Sequence, residues 1–413
     1  MNNNIQKGIR WIYSLMAVAV LSLFTISANA QSVETDQPVA PDQEPAFPEQ
    51  TRVQAVETET NFNVDIITGD LEQPWGLDFL PDGRMIVSER PGTIRIVTME
   101  GDVSKAIDGV PQVKDQWPSG LLDLQLAPDF EDSRLLFWAY VKPVDDDQGV
   151  NCVARGRLSS DETKFEDVEE IYCTSTPYPD FFHVGSRMLI DEDGFLFVTI
   201  GDRFEIGNGF GVTGRAQPQE LDSPLGKILR INQDGSPAEG NPFISTPDAL
   251  EEIWALGLRN SQGLAINPVT GELWLSDHGP QGGDEIKIIQ SGVNYGWPII
   301  SYGLGDDGEP VGEGITQKEG MEQPVYYWDP AVAPSGMTFY SGELVPEWEN
   351  DLFVAALRGS HIIRLVIDNS INRVVGEERL LLDEEQRFRH VVQGPDGALY
   401  VLTEQGRIYR IGI

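Results

Sequence analysis

The 413-residue sequence predicts an all-β fold, a six-bladed β-propeller whose inserted loops gather at one end of a central channel. Three observations point there. One strand signature recurs about six times: a turn, a glycine or small residue, alternating apolar residues, a Pro/Asp-x-x-Gly turn and a second alternating strand. Long helical patterns are absent after the first thirty residues, where 42 Gly and 27 Pro in the whole chain punctuate short alternating runs. The length beyond residue 60, about 350 residues, is large for one hydrophobic core, but it divides into six units of roughly 58 residues, each able to pack on its neighbours.

In chain order, residues 1–30 read as a signal peptide. Lys7 and Arg10 form a positive start, Trp11 to Ile26 is a short apolar run, and Ala28-Asn29-Ala30 offers a small-residue cleavage site before Gln31. An uncleaved anchor is the alternative, and the absence of Cys after the cleavage site argues against a lipoprotein. Residues 31–60, rich in Pro, Glu, Asp, Gln and Thr, read as a disordered acidic linker. Residues 61–413 form the propeller. Its clearest repeats are GLDFLPDGRMIV from Gly76, RMLIDEDGFLFV from Arg187, GLAINPVTGELWL from Gly263 and VVQGPDGALYV from Val391. Looser ones start at Gly120 and Gly336. A lone hairpin of this kind buries no face, so repetition implies stacking around an axis. The stretches 143–185, 204–225, 236–252 and 298–334 exceed a minimal blade and read as loops presented by the scaffold. The first ordered strand, near Phe62, is expected to close the ring by joining the last, GRIYRIGI.

The formal net charge of −37 argues against nucleic acid and anionic membrane surfaces as partners. It suits an exported protein and the binding of a divalent cation. Cys152 and Cys173, the two cysteines, predict one disulfide in such a chain, with two separately buried thiols as the alternative.

Three groups of residues carry possible chemistry. His183 precedes a strand, and Asp202 ends the next strand of the same hairpin, nineteen residues later. An imidazole beside a carboxylate makes a general base near neutral pH, whereas the bland reading is a loop histidine and a turn-forming aspartate. His278 lies in SDHGPQGGDEI, whose glycines and Pro280 present carbonyl oxygens ahead of Asp284 and Glu285, a set suited to a hard cation; an ordinary turn is the alternative. Arg259-Asn260, Arg358, Arg387 and Arg389 stand at blade ends, where guanidinium groups would converge on a polyanion unless each pairs with a local carboxylate. His361 and His390 read as structural or surface residues. No G-x-S-x-G, phosphate-binding loop, dinucleotide fingerprint or H-E-x-x-H occurs.

Taken together, PWGLDFLPDGRMIVSERPGTIRIV, GLLDLQLAPDF, HVGSR, TIGDR, LGKILRINQDGS, RNSQGLAINPVTGELW, HGPQGGDE, NYGWP and QRFRHVVQGPDGALYVLT resemble the soluble quinoprotein glucose/sorbosone dehydrogenases, and among them the bacterial aldose sugar dehydrogenases. The resemblance runs from about Pro74 to the C-terminus. It implies a six-bladed propeller with a pyrroloquinoline quinone (PQQ) and Ca²⁺ site at one end of the channel. It implies oxidation of aldose sugars at C1 to lactones, with His183 taking the anomeric hydroxyl proton while hydride passes to the quinone. Asp202 would support His183, and Arg259 and Asn260 would hold the quinone oxygens. Arg358, Arg387 and Arg389 would bind the cofactor carboxylates. The carbonyls of Gly279 and Pro280 would ligate the bridging Ca²⁺, and Glu285, the backbone of Tyr295 and Asp284 a second, structural Ca²⁺. The implied partners are an aldose and an external electron acceptor, in a periplasmic or secreted monomer or homodimer with no stable membrane insertion after signal cleavage. The chain departs from the family pattern at Trp117-Pro118-Ser119, where relatives often carry Gln or Gly, and at Leu258, Ser261 and the loop from Phe204 to Arg215. A propeller that binds sugar or protein without turnover is the competing reading.

Overall fold

A computed structural model describes residues 31–175, 177–179, 182–204 and 216–413. The expected signal peptide lies outside the described residues. Among them the strands form six antiparallel sheets, and helix is limited to single turns such as Phe130–Ser133. The innermost strands of the six blades are Pro74–Phe79, Leu121–Leu126, Gly185–Ile190, Ser261–Ile266, Pro334–Phe339 and Phe388–Gln393. Each lies beside the innermost strand of the next blade, and the sixth returns to the first, so the ring is closed. No helix among the described residues is long and apolar enough to cross a membrane.

The chain has no single core. Six apolar clusters sit one between each pair of neighbouring blades. Leu136 and Trp138 of the second blade meet Ile86 and Ile94 of the first. Trp274 and Tyr326 of the fourth meet Phe339 and Leu352 of the fifth. Tyr400 and Leu402 of the sixth meet Met85 and Val87 of the first, which seals the ring. Each fully buried side chain of this size contributes about 1.5–3 kcal/mol. The glycine of the repeat has a spatial reason. A Cβ at Gly263 would lie 2.3 Å from the carbonyl oxygen of Ser335 on the next blade, and one at Gly336 would lie 2.0 Å from Nδ1 of His390. These positions are bare so that adjacent inner strands can approach.

Closure follows the expectation. Asn63–Thr68 pairs antiparallel with Ile408–Gly412, with Val64 opposite Ile411 and Ile66 opposite Tyr409. Cys152 and Cys173 face each other across adjacent strands of the second blade and are joined by a disulfide.

The disordered linker expected at residues 31–60 is corrected. The segment lies along the fourth and fifth blades. The amides of Val39 and Ala40 donate to the Asp329 carboxylate at 2.8 and 2.9 Å. The Gln50 side chain is fully buried and donates to the Pro324 carbonyl at 2.8 Å. Val53 joins the apolar cluster between those blades, and Thr58 binds both oxygens of Glu378. Its partners lie hundreds of residues away in sequence, so local composition gives no sign of them.

Candidate active site

A repeated backbone feature sets where the site forms. In all six blades the pairing of the first two strands shifts register at the start of the inner strand. Such bulges turn side chains away from the ladder and recur beside functional sites. In an antiparallel hairpin the start of the inner strand lies beside the end of the second. Each blade therefore offers two adjacent positions at one mouth of the channel. One lies just before the inner strand and the other just after the second strand.

In the third blade these positions hold His183 and Asp202. The strands between them are Gly185–Ile190 and Leu196–Ile200. His183 has φ 59°, a left-handed conformation uncommon outside glycine and often found where a side chain is aimed for function. Its Nδ1 lies 2.6 Å from Oδ1 of Asp202, and their side chains are only 10% and 7% exposed. The same Oδ1 accepts from the amide of Phe204 at 3.0 Å, and Oδ2 accepts from the indole N–H of Trp297 at 2.8 Å. With only acceptors facing Nδ1, that nitrogen carries the hydrogen, and the lone pair sits on Nε2. Nε2 has no partner among the described residues. Burial, reinforced by the Arg259 charge, lowers the His183 pKa below its ordinary value; the pull of Asp202 in the other direction does not outweigh them. Burial acts to raise the Asp202 carboxyl, but His183 and Arg259 hold it below the usual carboxylate range. At neutral pH the pair is a neutral imidazole on an ionised carboxylate.

In the fourth blade the two positions are Arg259-Asn260 and His278-Gly279, flanking Ser261–Ile266 and Leu273–Asp277. The Asp277 carboxylate accepts from the amides of Arg259 at 3.1 Å and Asn260 at 2.8 Å, fixing both residues. The Arg259 guanidinium donates to the carbonyls of His278 at 3.1 Å and Gly279 at 2.5 Å. The carbonyl of Arg259 accepts from the amide of Asp202 at 2.8 Å, which ties this blade to the third. Asn260 Oδ1 accepts from the amide of Gly185 and from Gln262.

The network continues into the sixth blade. Gln262 Oε1 accepts from Arg389 at 2.9 Å. Arg389 and Arg387 both bind Glu404, which follows the second strand of that blade. Burial would raise the Glu404 carboxyl, yet the two guanidinium groups push it down to about 2. Arg358, after the second strand of the fifth blade, is exposed, and the neighbouring Leu357 carbonyl accepts from Arg387 at 3.3 Å. A cavity of about 240 Å³ opens between Trp75, Arg90, Trp117, Arg387 and Arg389. The spread-out sequence positions His183, Asp202, Arg259, Asn260, Arg387 and Arg389 thus meet at one mouth, with Arg358 beside them.

The donors suit PQQ, a tricarboxylate. Nε of Arg259, Nε of Arg389 and Nε2 of His278 are buried without a partner among the described residues, and such groups are costly unless a ligand satisfies them. For Ca²⁺ the fit is incomplete. The Gly279 carbonyl, implied for the bridging position, is taken by the Arg259 guanidinium at 2.5 Å. Of the groups implied for a second ion, the Asp284 carboxylate is saturated by the amides of Gly279, Val332 and Ala333 at 2.6–2.7 Å, and Glu285 pairs with Lys287. Among the described residues the three-membered group of potential metal-ligating side chains includes the disulfide cysteines, so no carboxylate cage is present.

Of the two readings of His361 and His390, structural holds over surface: both are buried, His361 bound to the Gly359 carbonyl at 2.6 Å and His390 against Gly336 of the neighbouring blade. The individual reading of the residues missed Trp297, Glu404 and Gln262. Trp297 lies in NYGWP and Glu404 ends the Arg387 repeat, but their partners are set by the ring and not by spacing.

The glucose/sorbosone dehydrogenase family model matches residues 71–410. An aldose sugar dehydrogenase of Escherichia coli is 38% identical over 345 residues, 83% of this chain and 90% of that one. The crystal structure of a soluble aldose sugar dehydrogenase from Escherichia coli in its apo-form superposes with TM-score 0.79 at 36% identity, covering 85% of this chain and 99% of the other. The PQQ-bound form of an aldose sugar dehydrogenase from Streptomyces coelicolor superposes with TM-score 0.68 at 26% identity, covering 86% and 99%.

Proposed function

Because the chain belongs to the glucose/sorbosone dehydrogenase family, we propose that it is a PQQ-dependent sugar dehydrogenase that oxidises aldoses at C1 to lactones. The observation that carries this reading is the His183–Asp202 pair, its Nε2 without a partner among the described residues, set beside buried nitrogens of Arg259, Arg389 and His278 that likewise have none. When bound, PQQ would supply the ortho-quinone that accepts hydride from C1, and the carbonyls of Gly279 and Pro280 would be the groups to hold a Ca²⁺ that polarises it.

The residues of the chain do the rest. His183 Nε2 takes the proton of the anomeric hydroxyl as the C1–H bond breaks, so the sugar loses two electrons and two hydrogens. Asp202 keeps the imidazole in the correct tautomer and stabilises the imidazolium that forms. Arg259 and Asn260 would hold the quinone oxygens by hydrogen bonds. Arg358, Arg387 and Arg389 bind the cofactor carboxylates, with Arg387 and Arg389 already ordered by Glu404. An external acceptor removes the electrons afterwards. The signal-like residues 1–30 and the disulfide support a periplasmic or secreted location.

Purified protein mixed with PQQ and Ca²⁺ is expected to oxidise aldoses with a dye as acceptor. His183→Ala should abolish turnover and leave PQQ binding measurable by absorbance. A reconstituted wild type that binds PQQ and oxidises no aldose would overturn the reading.

A further inference from the structure

Asp277 and Glu285 stand directly opposite each other on the second and third strands of the fourth blade, Leu273–Asp277 and Asp284–Ile289. Opposed residues point to one face of a sheet, and two carboxylates placed so repel each other. Such a pair needs a cation between its members, and Lys287 supplies one. It follows Glu285 by two residues, so it shares that face. Its ammonium binds Asp277 Oδ2 at 3.1 Å and Glu285 Oε2. The Lys287 and Asp277 side chains are 2% and 3% exposed, a depth at which an ammonium is costly unless its charge is met. Glu285 is one of the groups implied for a second, structural Ca²⁺, and here its partner is an amine of the chain itself. The triad also reaches the site. Asp277 Oδ2 accepts from the amide of Arg259, and Oδ1 accepts from the amide of Asn260 and from the Ser261 hydroxyl at 3.2 Å. One carboxylate thus separates the Lys287 ammonium from the two residues implied to hold the quinone oxygens.

We propose that Lys287 is a built-in counter-ion: its ammonium fills the place of the second ion, so the chain takes no Ca²⁺ at Glu285, and through Asp277 it positions Arg259 and Asn260. The positioning half rests on the sugar-dehydrogenase reading above, and the counter-ion half does not. An ion and a lysine differ here in a way that can be measured. A chelator removes the ion, whereas the ammonium is tethered to its own strand.

Thermal unfolding of the full chain without PQQ, in Ca²⁺ and in excess chelator, tests the counter-ion. Any shift that Ca²⁺ produces in the wild type should be the same in Glu285→Gln. Lys287→Ala leaves the two carboxylates facing each other with room for an ion. In chelator it should melt roughly 5–10 °C below the wild type, and Ca²⁺ should recover most of that loss. The double variant Glu285→Gln/Lys287→Ala removes the repulsion as well, so it should fold even if Lys287→Ala does not, and it should gain no such recovery. A wild-type response to Ca²⁺ that disappears in Glu285→Gln would put an ion at Glu285 and overturn the proposal. A loss in Lys287→Ala that Ca²⁺ leaves untouched would overturn it too. PQQ titrated by absorbance in saturating Ca²⁺ tests the positioning. Lys287→Ala should bind PQQ nearly as the wild type does, and the double variant about tenfold more weakly. Equal affinity in all three proteins would overturn that half. If the wild type binds no PQQ, the dehydrogenase reading fails, and the melting comparison still decides the counter-ion.

Discussion

At the scale of single residues, the chemistry depends on a histidine kept neutral and correctly protonated. Burial and Arg259 lower the His183 pKa, so the base form persists below pH 6.5. The rate should therefore hold constant through neutral pH and fall on the acid side only as His183 gains its proton. Asp202→Asn removes the larger upward pull and leaves that of Asp277, so the acid limb should move to lower pH still. The plateau should drop by about 10²-fold or more as tautomer control is lost. Trp297→Phe deletes the indole hydrogen bond to Oδ2 at 2.8 Å and should lower kcat less than Asp202→Asn, with KM little changed. A pH–rate series on the three proteins checks this, and an acid limb that stays in place in Asp202→Asn would contradict it. The His183–Asp202 pair was legible in the sequence because one hairpin joins its members. Trp297 was not, because its hydrogen bond to Asp202 spans 95 residues and two blades.

At the scale of the element, the propeller hairpin has a rule that the sequence showed in part. The small residue at the start of the repeat was visible; its reason, the close approach of the next inner strand, was not. Gly336 gives the sharpest case, since a methyl group there would lie 2.0 Å from Nδ1 and 2.9 Å from Cα of His390. The backbone at His390 cannot move aside without displacing Arg389. Gly336→Ala should therefore destabilise the protein by about 1–3 kcal/mol and also weaken PQQ binding. Urea unfolding and a PQQ titration measure the two effects separately. Loss of stability with cofactor affinity unchanged would mean that the sixth blade absorbs the strain without moving its arginines. The same element logic explains the loose repeats from Gly120 and Gly336. Their extra residues form the single helical turns Phe130–Ser133 and Pro346–Trp348 between strands, which leave the inner strand and its bulge in place.

At the scale of the whole molecule, a ring of blades is only as stable as its closure. Asn63–Thr68 supplies the fourth strand of the last blade and covers the edge of Ile408–Gly412. Without it, that edge would present unpaired amides and carbonyls to other chains. The preceding segment acts differently. Residues 31–56 add hydrogen bonds and a few buried side chains to blades that are already complete. Its order was illegible because its composition matches disordered chains, and what holds it is a set of bonds such as those of Val39 and Ala40 to Asp329. The two parts should separate on truncation. A variant lacking residues 31–56 should fold, bind PQQ and lose only a few kcal/mol, in line with side-chain hydrogen bonds worth about 1 kcal/mol each. A variant lacking residues 31–68 should aggregate or unfold, because an open sixth blade also frees its cluster with the first. Thermal unfolding with light scattering distinguishes the outcomes. If both truncations cost the same, the early segment and not the closing strand holds the ring shut.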